Sequence, residues 1–117
     1  VVGPDPADIG GIAELKWVAE LAHMHSIMMA PHGTANGLLG LGALINVCAT
    51  LPANYIAFEY PSASDPFWND IVTGLPDGRI VNDSHVELLP GHGLGLDIDA
   101  EAAKRYLAEE DAGFFDP

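Results

Sequence analysis

Residues 26–33 read Ser26-Ile27-Met28-Met29-Ala30-Pro31-His32-Gly33. Four apolar residues in a row, closed by Pro-His-Gly, have the pattern of a short strand buried on both faces, as in a parallel sheet. Two other segments match it: Val1-Val2-Gly3 runs into Pro4-Asp5, and Tyr55-Ile56-Ala57-Phe58 ends in Glu59. The polar residues Asp5, His32 and Glu59 that close these segments follow one another at intervals of 27 residues. That interval suits a strand, a helix and the return to the next parallel strand. It predicts three neighbouring strands whose carboxyl ends carry an acid, an imidazole and a second acid in one row. In α/β barrels and open α/β sheets, active sites lie at that edge.

The intervening segments read as helices. Gly10-Gly11 turn the chain into a helix over residues 12–25, with Ile12, Leu15, Val18, Ala19 and Ala22 on one stripe. Ser26 ends it. A loop of small residues from Gly33 to Gly37 leads to a second helix over residues 38–50, apolar nearly all round and so heavily covered. Gly40 and Gly42 lower its helix propensity and predict close packing against a neighbour. Pro52 and Asn54 break it before the third strand. The fold class is therefore α/β, two βαβ units sharing a middle strand. From Tyr60 the rhythm changes. Pro61, Pro66, Pro76 and Pro90 punctuate a loop-rich region, Asp77-Gly78 signals a turn, and Asp99 caps a helix over residues 100–110. Phe114-Phe115 are expected to dock the tail. Residues 1–60 and 61–117 thus read as two parts, the second packing elsewhere, across a barrel mouth or onto another domain.

Bulk composition narrows the function. Hydrophobic residues make up 49% of the 117 and charged residues 18%, a composition for a packed core. Four basic residues against seventeen acidic ones give a formal charge of -13. That field repels nucleic acid and disfavours an anionic membrane surface; it is also compatible with a salt-adapted source. Cys48, the single cysteine, lies in the apolar helix and reads as a buried, inert thiol. No basic-then-apolar leader opens the chain, and the apolar run 37–51 is short for a bilayer and broken by Asn46. A cytoplasmic protein is the default expectation. The opening Val1-Val2, without Met, reads as the continuation of something longer.

Adjacent parallel strands lie about 4.8 Å apart, so His32 in the middle of the row reaches Asp5 on one side and Glu59 on the other. An aspartate beside a histidine fixes its tautomer and stabilises the imidazolium, which makes a general base. No Ser or Cys stands at a matching nucleophile position: Ser26 precedes its strand and Cys48 is within a helix. His23 and His25, two apart on a helix, make a poor metal pair and fit a helix C-terminal role. His85 and His92 have no ligand-like spacing. The run Gly91 to Gly95 lacks the lysine and the strand-then-helix context of a phosphate loop.

Taken in order, Pro4-Asp5, Gly10-Gly11-Ile12, Ala30-Pro31-His32, Phe58-Glu59 and Pro90-Gly91-x-Gly-Leu-Gly95 resemble the C-terminal part of the enolase superfamily, within it the mandelate racemase subgroup that includes acid-sugar dehydratases. The resemblance implies the C-terminal part of a modified TIM (β/α) barrel: residues 1–60 as the end of strand 6 through strand 8, and residues 61–117 as the return segment to a capping domain. It assigns His32 as the general base, Asp5 as its dyad partner, and Glu59 as the acid that binds the substrate carboxylate or its enediolate, with His32 also meeting the substrate. It further implies Mg2+, with ligands on strands outside this chain, and a homo-oligomer when intact. His92 stands where the family's tail motif usually has Pro, and residues 82–89 look longer than typical. A full barrel takes about 250 residues, so the chain alone is expected to be inactive, with exposed strand edges and a tendency to self-associate.

The leading functional expectation is a Mg-dependent lyase that dehydrates an acid sugar (aldonate or aldarate) to a 2-keto-3-deoxy acid. The alternatives are a racemase, epimerase or cycloisomerase of the same superfamily, or a non-catalytic acidic α/β module that binds a basic protein.

Overall fold

In the computed structural model, residues 1–33, 37–60, 70–75, 80–81 and 83–116 are described. The loop after Gly33, Pro61, Pro66, Pro76 and the Asp77-Gly78 turn fall outside them. Three short segments lie side by side in parallel. Val2 pairs with Met29, and Met29 pairs with Tyr55. The first pair is held by Val2 N to Met28 O and Ala30 N to Val2 O, both 2.9 Å, and continues with His32 N to Pro4 O at 3.1 Å. The second is held by Met29 N to Asn54 O and Ile56 N to Met29 O, again 2.9 Å each. The middle segment therefore bonds along both edges, as its apolar run predicts.

Between these segments run helices α1 (Pro6–Ile9), α2 (Ile12–Met24) and α3 (Gly37–Cys48). Helix α1 is not anticipated by the hydrophobic pattern, yet its start signal is local. Asp5 is its N-cap, accepting from Ala7 N at 2.9 Å, and Pro6 fills the first helical position, where a missing N–H costs nothing. Helix α2 buries Leu15, Ala19 and Ala22. The stripe is narrower than the sequence suggests, since Ile12 and Val18 stay 42% and 36% exposed. Helix α3 has no exposed residue and buries seven of its twelve residues. Its close packing is realised at Gly42, where a Cβ would come within 3.1 Å of Leu96 and 3.4 Å of Leu94.

Helices α2 and α3 cover one face of the parallel segments. Met29 is fully buried there, but Met28 and Ile56, on the opposite face by strand alternation, are 41% and 53% exposed. The reading of residues 27–30 as buried on both faces is thus corrected: the described residues cover one face only.

Beyond residue 60, two short strands, β1 (Val72–Thr73) and β2 (Asp97–Ile98), pair antiparallel. Neither shows in the sequence, because two residues carry no measurable alternation. Val72, Ile80 and Leu96 join the same apolar cluster as Leu15, Met29 and Leu44, so part of the tail closes on α3 rather than packing apart. Asp99 caps α4 (Ala100–Ala103), accepting from Ala102 N at 2.9 Å. The predicted helix to residue 110 is not continuous. It tightens to a 3-10 turn at Lys104–Tyr106, leaves helical geometry at Leu107 (ψ 143), and ends in a second 3-10 turn at Glu109–Asp111. The Tyr106 hydroxyl donates to Asp70 at 2.7 Å where the helix stops. Phe114 does not dock: it is 74% exposed and meets Phe115 edge to face at 5.0 Å.

Asn54, read from the sequence only as a helix breaker, is 5% exposed and ties the layers together. Its Nδ2 donates to Ala19 O at 3.2 Å and to Ile27 O at 2.8 Å, while its backbone carbonyl accepts from Met29 N. Asn54→Ala leaves the Ala19 and Ile27 carbonyls without that donor and is expected to cost about 2 kcal/mol of stability in urea unfolding of the complete protein. Asn54→Asp should be at least as damaging, since a carboxylate adds charge and donates nothing. Wild-type stability in the aspartate variant would remove the clamp.

Candidate active site

The three closing residues come together at one end of the parallel segments. Asp5 reaches the rim because its backbone both ends the first segment and caps α1. Its Oδ1 is taken by Ala7 N, which leaves Oδ2 facing His32 Nδ1 at 3.2 Å. The Asp5 side chain is only 4% exposed, against 41% for His32 and 59% for Glu59. The opposite ring nitrogen, His32 Nε2, stands 3.6 Å from Glu59 Oε2, a distance for electrostatic contact rather than a hydrogen bond. The row therefore runs from a buried acid through a half-buried imidazole to an exposed acid. With Nδ1 directed at a fixed carboxylate, Nε2 is the nitrogen directed toward the rim.

The way Glu59 enters the row is not visible in the equal spacing. The first pair of segments is offset by 27 residues and the second by 26. Continued evenly, the second register would have Phe58 N donate to Pro31 O and Phe58 stand beside His32. Instead Glu59 N donates to Pro31 O at 2.9 Å. One extra residue is accommodated between Ile56 and Glu59, a bulge that breaks the ladder where Pro31 has no N–H to continue it. Phe58 then packs against the core, and Glu59 takes the place at the rim.

The other singled-out residues stay apart from this row. His25 caps the C-terminus of α2 through its backbone, and both it and His23 are exposed. His85 Nδ1 contacts Asp83 O at 2.7 Å, and His92 is exposed in the glycine-rich loop, whose Gly91, Gly93 and Gly95 all have positive φ. Among the described residues, no three His, Cys, Asp or Glu side chains gather into a cluster able to hold a metal ion. Magnesium requires near-octahedral oxygen ligation, and the Asp5 carboxylate is already divided between Ala7 N and His32. The described residues therefore do not fit as a magnesium site. No helix among them is long and apolar enough to cross a membrane.

The chain belongs to the enolase C-terminal domain-like family, whose model matches residues 1–103. It is 31% identical over 114 residues to the D-xylonate dehydratase of Haloferax volcanii, covering 97% of this chain and 26% of that protein. It is 33% identical over 110 residues to the D-galactonate dehydratase of Xanthomonas axonopodis pv. citri, covering 90% of this chain and 28% of that protein. Among solved structures, the mandelate racemase/muconate lactonizing enzyme-like protein from Rubrobacter xylanophilus superposes with a TM-score of 0.74 at 37% identity, over 86% of this chain and 25% of that one. The chain thus spans about a quarter of the length of the curated relatives it matches. Its relatives include acid-sugar dehydratases, and its fold is the α/β fold of the enolase C-terminal domain.

Cys48 has no part in the row. Burial pushes its thiol up to about 11, against a hydrogen bond with Tyr55 that draws it down. Burial, followed by the charge of Cys48 and their hydrogen bond, pushes the Tyr55 hydroxyl up to about 12. Both groups favour the neutral form in the fold. The stability contributed by Cys48 is present below its ordinary value of 9.0 and is lost as pH rises through about 11, and that of Tyr55 is present below 10.0 and is lost as pH rises through about 12. At pH 8 an aromatic disulfide reagent is expected to leave Cys48 unmodified in the native protein and to modify it once urea is added. Rapid labelling under native conditions would contradict the burial.

Proposed function

We propose that this chain supplies the proton-handling side of an enzyme that abstracts the proton α to a carboxylate, and that the reaction is dehydration of an aldonate or aldarate to a 2-keto-3-deoxy acid. The observation that carries this reading is the His32 imidazole, held at 3.2 Å by a buried Asp5 and turned by its other nitrogen toward an exposed Glu59. The dehydratase relatives support the substrate class. In this reading residues 1–60 are the end of strand 6 through strand 8 of a modified (β/α) barrel, and residues 61–117 return toward a capping domain. The open face bearing Met28 and Ile56 is the kind of surface that a barrel interior would cover.

The chemistry follows from the row. Neutral His32 takes the α proton on Nε2, and the C–H electron pair passes into the enediolate. Asp5 keeps Nδ1 protonated and stabilises the imidazolium that forms. The imidazolium then returns its proton to the β-hydroxyl, which leaves as water, and the resulting enol tautomerises to the 2-keto-3-deoxy acid. Glu59, beside the same nitrogen, is in this reading the acid that hydrogen-bonds the substrate carboxylate or its enediolate. The ligands of the implied magnesium belong, in this reading, to segments outside the sequence.

A second reading keeps the proton abstraction and returns the proton at the same carbon, as in a racemase or epimerase. It is favoured by a superposition, with a TM-score of 0.67 at 26% identity, on a structure described as a putative isomerase from Sinorhizobium meliloti. In the complete enzyme, His32→Asn is expected to lower turnover of an acid sugar by about two to four orders of magnitude without lowering the unfolding midpoint. Full activity in that variant would exclude His32 as the base. Turnover in heavy water separates the two reactions: a 2-keto-3-deoxy product supports dehydration, and deuterium in a recovered epimer supports the second reading.

A further inference from the structure

The bulge that brings Glu59 to the rim carries a steric condition. The Pro31–His32 peptide belongs to both ladders: the His32 N–H donates to Pro4 O, and Pro31 O accepts from Glu59 N. The next residue, Gly33, lies directly beneath the backbone of Glu59. A Cβ on Gly33 would stand 3.1 Å from the Glu59 carbonyl oxygen and would overlap a methyl group of Leu44. The Gly33 φ lies outside the left-handed region, so the position demands space rather than glycine's conformational freedom. Leu44 is fully buried, with little room to retreat. A side chain at residue 33 would therefore press on the Glu59 segment, where Glu59 and Tyr60 are less tightly enclosed than Leu44.

We propose that Gly33 is a positioning residue for Glu59: its bare Cα lets the bulged backbone settle onto the loop after His32, and this approach sets the separation between Glu59 and the His32 Nε2. The effect on turnover rests on the reading of Glu59 given above; the geometric effect does not. Selectivity and rate then depend on a residue that contacts no substrate.

The test is Gly33→Ala in the complete enzyme, by crystal structure and by kinetics. The separation between His32 Nε2 and Glu59 Oε2 is expected to lengthen beyond 3.6 Å, and kcat/KM on an acid sugar to fall by about a hundredfold, the scale of an ångström misplacement. On a Glu59→Gln background the same change should add almost nothing, because the interaction it disturbs has already been removed. An unchanged separation overturns the proposal, as does an equal loss in both backgrounds, which would mark a general packing defect. A lengthened separation with unchanged kinetics supports the positioning and instead sinks the role of Glu59. Should Gly33→Ala fail to fold, Gly33→Ala combined with Leu44→Ala removes the side-chain overlap and leaves the carbonyl contact, and the same separation decides.

Discussion

The whole arrangement depends on the hydrogen bonding of one buried residue. Met29 donates to Asn54 O on one edge, accepts from Ile56 N on the same edge, and is flanked on the other by the bonds of Val2 with Met28 and Ala30. Its side chain is fully buried against the helices. These contacts join residues twenty-five or more positions apart, so they repay loop-closure entropy only when α2 and α3 pack as crossovers. Asn54 contributes twice, once through its backbone and once through an amide that binds α2 to the start of the middle segment.

The chemistry of the rim is a consequence of that register. The first ladder continues without interruption to His32, which places the imidazole against Asp5. Asp5 is held in turn by the helix it caps, so one carboxylate starts α1 and orients the ring. Burial decreases along the row, from Asp5 through His32 to Glu59. The carboxylate that fixes the ring is thus shielded from water, while the imidazole and Glu59 are more open. Among the described residues no metal cluster gathers, and the chain spans about a quarter of the length of its matched relatives.

Much of this was readable in the residues. The apolar runs at 1–3, 27–30 and 55–58 and the polar residues that follow them anticipated the parallel order and the row. The nearly continuous apolar character of residues 38–48, interrupted at Asn46, anticipated how completely α3 is covered. Other features were hidden for physical reasons. Two-residue strands such as Val72–Thr73 carry no period. The break after Tyr106 coincides with a hydrogen bond to Asp70, 36 positions away. Exposure of Met28 and Ile56 reflects a face that the described residues leave uncovered, which no local pattern records. Asn54 looked like punctuation because a breaker and a buried clamp have the same amino-acid identity.

The sequence by itself determined which residues meet at the rim, because equal chain length between like segments brings like ends together in parallel pairing. It also determined the helix starts at Asp5 and Asp99, whose carboxylates bond to amides two and three residues away. Only the tertiary structure decided how Glu59 enters the row. The intervals are equal, but the registers are not, and a one-residue bulge beside Pro31, seated on the bare Cα of Gly33, makes up the difference. Register is a property of two segments and the space between them, and neither segment states it alone.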